Sequence, residues 1–321
     1  MTRRLTSIAI LLTFIAIVAT RALATNTESL IVHEWGTFTS IAGADGRAIE
    51  WLPLERPPDL PCFVNTLRLN LKGGLPSKVR METPVLYFYA PHDVTVNVNV
   101  QFHRGVVTEW FPRAAVTPSS VDAPTLRRPD FSSSISWRGV KISPDASNDF
   151  FVDGSGSHYY VARQTDASPL QVGSQRERFL FYRGVGDFDP PIAATFDDDG
   201  RVSVESADGE RADDAIVFRN DGGASDVPPP EVELAQMLVV HGLYSREAQA
   251  MIDTWRDTWF GEGTRLFYIV PRAAIDAILP LQIDPNPTEI VRVFVGRIEL
   301  EGKRKASAVQ RPAVTAAGCR R

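Results

Sequence analysis

The stretch Val94-Thr95-Val96-Asn97-Val98-Asn99-Val100-Gln101-Phe102-His103 decides the fold. Apolar residues take every second position and polar residues fill the gaps. Successive side chains of a strand point to opposite faces, so this pattern makes a strand with one buried and one wet face. Just upstream, Val85-Leu86-Tyr87-Phe88-Tyr89 is apolar on both faces, as expected for a central strand of a layered fold.

Working outward, further strands are predicted at residues 30–39, 106–111, 159–164, 178–183, 193–196 and 215–218. Asp45-Gly46, Asp199-Gly200 and Asp208-Gly209 supply the φ > 0 residues of tight hairpins. Many short strands with frequent turn signals point to a sandwich. The turn-rich connections 112–129 and 143–157 are long enough to cover one end of it. After Pro228-Pro229-Pro230 the texture changes. Residues 231–243 read as a helix, and Ser245 can cap a second, with Ala248, Ile252, Trp255 and Trp259 along one side and Gly261 at its end. A strand (266–270), a short helix (272–279) and a last strand (290–300) follow.

The predicted class is therefore β-rich α+β. A β-sandwich-like domain spans 25–227, and a helix-helix-strand-helix-strand segment spans 228–300. About 70 residues is marginal for an independent core, so this segment is expected to pack on the sandwich.

The ends of the chain read differently. Arg3-Arg4 precedes an uncharged run from Leu5 to Thr20, and Ala22-Leu23-Ala24 is a small-x-small cleavage site. That order predicts a signal peptide over 1–24, and the run is shorter than the ~20 residues of a spanning helix. Its removal leaves 31 basic and 39 acidic side chains, a formal charge of −8, and no stable membrane span. A whole-chain pI near 5.6 argues against non-specific nucleic-acid binding as the main task. Residues 301–321 are small, polar and basic, with Lys303-Arg304-Lys305 and Arg320-Arg321, and read as a disordered tail. Cys62 is read as a buried free thiol and Cys319 as incidental, although a bridge between them is chemically allowed in an oxidising compartment.

Local chemical motifs are mostly rejected. His33, His92, His103, His158 and His241 contain no pair at i, i+4 spacing, and no metal or organic cofactor is expected. Asp197-Asp198-Asp199-Gly200 lacks the outer positions of a calcium loop, which hold Thr195 and Ser206. Gly154-Ser155-Gly156-Ser157 is not a nucleophile elbow, and Gly184-Val185-Gly186 lacks a dinucleotide-binding setting.

What remains is a set of charges on apolar faces. Alternation places Glu34 beside Val32 and Phe38, Glu109 between Val107 and Phe111, and Arg183 beyond Phe179 and Phe181. Arg80 and Glu82 share one side of the lead-in to the central strand. A carboxylate on a core face must be paired, hydrogen-bonded or protonated. The five are expected to form one cluster. Two readings stand: a buried Glu–Arg network that holds strand register, or a site in which a desolvated glutamate works beside an ionised partner. Trp35 and Trp110, next to these charges, are candidate ligand platforms, with core packing as their ordinary role.

Four strings resemble a group of exported bacterial proteins without an assigned activity: residues 33–39 (HEWGTFT), 81–89 (METPVLYFY), 108–112 (TEWFP) and 179–186 (FLFYRGVG). The resemblance covers most of the mature chain and implies a bacterial envelope protein; no catalytic or ligand residue is carried over. The expectation is an exported binding or structural protein, periplasmic or extracellular, with an envelope polymer or carbohydrate as partner. The alternative is a hydrolase acting on an envelope polysaccharide or peptidoglycan through paired glutamates.

Overall fold

The computed structural model describes residues 29–54, 59–67, 75–196, 201–206, 215–221 and 230–300. The strands are β1 (Ile31–Ala42), β2 (Asn65–Thr66), β3 (Val79–Tyr89), β4 (Val94–His103), β5 (Gly105–Phe111), β6 (Ala115–Thr117), β7 (Ser132–Ile142), β8 (Leu170–Val172), β9 (Gln175–Glu177), β10 (Leu180–Gly186), β11 (Ile192–Phe196), β12 (Val202–Ser206), β13 (Ala215–Asn220), β14 (Gly263–Ile269), β15 (Leu281–Asp284) and β16 (Glu289–Leu300). The helices are α1 (Ala123–Leu126), α2 (Glu231–Val240), α3 (Ser245–Trp259) and α4 (Arg272–Ile278), with a 3-10 helix at His158–Arg163. The fold is β-rich α+β, and among the described residues no helix is long and apolar enough to cross a membrane.

The alternating stretch becomes β4. Its Val96, Val98, Val100 and Phe102 are buried, while Thr95, Asn97 and His103 face solvent. β4 belongs to a sheet ordered β15-β4-β7-β8-β9, with β6 also on β7. Its buried face packs on a larger sheet ordered β13-β14-β16-β1-β3-β10-β5-β2. Val32, Met81, Leu86, Phe88 and Tyr182 meet β4 in the core between the sheets. On the outer face of the larger sheet, Trp35, Val85, Tyr87, Val293 and Val295 pack with Leu234, Met251, Ile252 and Trp259 of α2 and α3. β3 is thus covered on both faces, and the molecule has three layers.

Residues 228–300 are packed on the body through α2 and α3 and also woven into it. β16 pairs in parallel with β1, and β14 lies on its other side. The reason lies in β16 itself: Val293 and Val295 face the helices while Phe294 and Ile298 face the inter-sheet core. A strand apolar on both faces is stable only inside a sheet.

Several local expectations are corrected. Residues 159–164 are not a strand. Ser157 accepts the N–H of Tyr159 and starts the 3-10 helix, in which Tyr159 and Ala162, three residues apart, turn to the core. Ser245 is the first residue of α3 and not its cap; the backbone N–H of Tyr244 donates to Glu247 Oε2 at 2.8 Å. The Asp45-Gly46 turn is present, with Gly46 at φ +77°. β11 and β12 pair antiparallel, the hairpin expected around Asp199-Gly200, whose tip lies outside the described residues. So do the signal peptide and the basic tail.

Cys62 is disulfide-bonded, which corrects its reading as a free thiol. The other cysteine of the sequence, Cys319, lies outside the described residues. Protein purified without reductant is expected to resist maleimide labelling at Cys62 in denaturant and to label after reduction. Labelling before reduction, read by peptide mass spectrometry, contradicts the bond.

Two bulges set which side chains share a face. The β1–β3 register shifts between Trp35 and Thr37, where β3 carries an extra residue around Thr83-Pro84, with Thr83 at φ 50°. The shift puts Glu82 on the same outer face as Val85 and Tyr87. A second shift, between Arg183 and Gly184 on β10, places two β5 residues against one β10 residue. Val107 therefore faces the inter-sheet core, while Glu109 and Phe111 face outward.

Candidate functional site

The outer face of the larger sheet has two halves. Helices cover one. The other carries a polar strip across neighbouring strands: Arg297 on β16, Thr37 and Thr39 on β1, Arg80 and Glu82 on β3, Arg183 on β10 and Glu109 on β5. The cross-strand partners Arg297–Thr39, Thr39–Arg80, Thr37–Glu82 and Arg183–Glu109 hold them at one level. A residue on one strand of a sheet is a direct neighbour of its register partner, which is why charges distant in sequence meet.

Glu82 is the hub. Its Oε1 lies 3.3 Å from Arg80 Nε, and its Oε2 accepts from the Thr39 hydroxyl at 2.8 Å. Burial pushes the Glu82 carboxyl up. The guanidiniums of Arg80, Arg297 and Arg183, with the Thr39 hydroxyl, outweigh it and hold the carboxyl below the usual range. Arg183 is pushed down by burial and by Arg80, against the pull of Glu109, Glu82 and Asp59. Glu109 also accepts from the Thr108 hydroxyl. Arg297 pairs with Glu299, which is bonded by Arg265 Nε at 3.0 Å.

The strip is not fully satisfied. Arg183 Nε, Arg297 Nε and Thr37 Oγ1 are buried without a hydrogen-bond partner, and Arg80 Nε makes only its 3.3 Å ion-pair contact with Glu82. Native buried polar atoms are partnered nine times in ten or better; Arg178 Nε, Arg292 Nη2 and Trp35 Nε1 are unpartnered elsewhere, and the strip gathers three such atoms at one level of one sheet face.

The structure brings together Arg80, Glu82, Glu109 and Arg183, and not Glu34. Glu34 faces the inter-sheet core, where it accepts from Tyr182 Oη at 2.5 Å and from Arg292 Nε at 2.5 Å. Arg292 also donates to Asp276 and to the Leu279 carbonyl. This is a sealed structural network, with Glu34 at 0% exposure and Arg292 at 5%. The expectation of one five-residue cluster fails because Glu34 and Glu82 lie on opposite faces of the same sheet. Trp35 is fully buried beside Tyr87 under the helices, and Trp110 is partly buried, packed against the inter-sheet core and the cluster of Val106 and Leu126. Trp35, at 0% exposure, offers no ligand platform.

Other buried polar sets look structural. Glu247 takes His33 Nδ1 at 2.7 Å and the Tyr89 hydroxyl at 2.8 Å while it caps α3. Glu177 takes Arg163 and Tyr159. An open cleft of about 490 Å³ lies beside Tyr89, Asp166 and Arg178, but the terminal nitrogens of Arg178 are spent on Thr165, Ala167 and Asn148. Among the described residues no group of three or more His, Cys, Asp or Glu is placed to hold a metal.

Arg292, Arg297, Thr37 and Thr83 are missing from the sequence reading. The arginines carry the same signal that picked out Glu34. In Val291-Arg292-Val293-Phe294-Val295-Gly296-Arg297-Ile298, Arg292 alternates with Phe294 and Arg297 with Val295. The threonines carry no such signal, because a hydroxyl is tolerated on either face.

No protein-family model matches the chain. No curated protein matches it either.

Proposed function

We propose that the chain is an exported binding protein of the bacterial envelope, periplasmic or extracellular, and that the strip formed by Arg80, Glu82, Glu109, Arg183 and Arg297 receives its ligand. The orphaned donors carry this reading. A network that serves only strand register gains from complete satisfaction; that of Glu34 leaves one donor over, Arg292 Nη2, whereas this one keeps the Nε–H groups of two arginines and a threonine hydroxyl unspent beside an ionised hub. The disulfide at Cys62 fits an oxidising compartment and supports export. The ordering of charged, apolar and small residues over 1–24 supports it too.

Binding is favoured over hydrolysis by the state of Glu82 and Glu34. A general acid must keep its proton near neutral pH. Glu82 is held on the ionised side, and Glu34 is sealed between the sheets. The partner class is an envelope carbohydrate or polymer fragment. Mature protein and an Arg183→Gln variant are tested for retention of, and turnover on, polysaccharide and peptidoglycan fragments. Retention without turnover, weakened at least tenfold in the variant, is expected. Turnover abolished by Glu109→Gln overturns the reading in favour of a hydrolase, and no retention of any fragment overturns it outright.

A further inference from the structure

Resting on that reading, we infer that the strip binds a single carboxylate group of its ligand, as carried by an acidic sugar. Charge comes first. Arg80, Arg183 and Arg297 all act on Glu82, and Glu109 is the second carboxylate among them. Adding the pair Arg265 and Glu299 leaves the same excess of one positive charge. Asp59 reaches Arg183 from a loop, but it is half-exposed and shared with His158, so solvent screens it. Buried charge without a counterpart is costly, and a monoanion removes the imbalance.

Hydrogen bonding points the same way. The free Nε–H groups of Arg183 and Arg297 are donors only, and the Thr37 hydroxyl can donate. The complementary group accepts many hydrogen bonds and donates none, which describes an ionised carboxylate and excludes an amine. The strip is largely enclosed, the side chains of Arg80 and Arg297 being 13% and 11% exposed and Glu82 less, which excludes a polymer laid along the sheet and leaves a small end group.

The test measures the melting temperature and calorimetric binding of the full mature chain with glucuronate, glucose, sulfate, phosphate or chloride at matched ionic strength. Glucuronate at a hundredfold excess over its Kd is expected to raise Tm by roughly 5–10 °C. Arg183→Gln should abolish the rise. Thr37→Val removes an unpartnered hydroxyl, so it should leave the ligand-free Tm within about 2 °C and weaken glucuronate several-fold; an unweakened Thr37→Val that melts normally overturns the inference, even if Arg183→Gln does not fold. Equal rises with glucose and glucuronate overturn the carboxylate assignment and leave the binding reading standing. Equal rises with sulfate or phosphate overturn it in favour of a general oxyanion site. No rise with any probe, together with no retained fragment, removes both.

Discussion

Replacing Glu34 with alanine is expected to destabilise the protein by about 3–5 kcal/mol, one of the largest effects of any single change here. Glu34 is fully enclosed between the sheets, with Arg292 Nε and the Tyr182 hydroxyl on its two oxygens. Removing it leaves a buried guanidinium whose remaining partners are the half-exposed Asp276 and the Leu279 carbonyl. The pair with Asp276 is screened by solvent and leaves Nε bare, so the buried guanidinium is poorly compensated, which costs more than the Glu34 pair gains over an apolar replacement. Thermal melts should show Tm lowered by roughly 10 °C. The double variant Glu34→Ala/Arg292→Met should recover a good part of the loss, because it removes both charges. If the double variant is no better than the single, the effect is one of cavity and not of charge. If the single variant melts as the parent does, Glu34 is not the keystone of the sheet interface.

Gly184→Ala is expected to cost about 1–3 kcal/mol or more and to damage the candidate site as well. A Cβ at position 184 would stand 2.3 Å from the Val106 carbonyl oxygen and 3.0 Å from the Phe102 ring. The ring can shift, but a backbone carbonyl in a ladder cannot rotate away, so β10 and β5 must separate. Gly184 is the next residue after Arg183, and its partner on β5 is Val107, at the bulge that turns Glu109 outward. Loss of register there should lower Tm and also weaken ligand retention. Gly139→Ala is the control: its Cβ meets nothing within 4 Å, and only its φ of +63° opposes the change, at about 1 kcal/mol. Equal effects of the two substitutions would mean that the close approach at Gly184 is not what holds the strands together.

Much of the layering was legible in the residues. The β4 alternation and the two-faced apolar run of β3 imply a sheet buried on one side beside a sheet buried on both. The helix stripe at Ala248, Ile252, Trp255 and Trp259 names the face that α3 sets on that sheet. These are period-2 and period-3.6 patterns, which depend only on the local chain. The unusual charges were legible too, since a Glu or Arg in an apolar run must be matched wherever it lands.

Where they land was not legible. In strands buried on both faces, alternation says which residues share a face and not which layer that face meets. One extra residue at Thr83-Pro84 and another on β5 next to Glu109 exchange the two faces partway along their strands, and neither leaves a mark in the polar–apolar pattern. Partners are equally non-local. Glu34 finds Arg292 at a separation of 258 residues because β16 inserts beside β1, a choice made by sheet order. The sequence by itself therefore determined the layers, the elements and the residues that need partners. Only the tertiary structure, through strand order and the two bulges, decided that Glu34 is sealed in the core while Glu82, Glu109, Arg80 and Arg183 share a face with unspent donors.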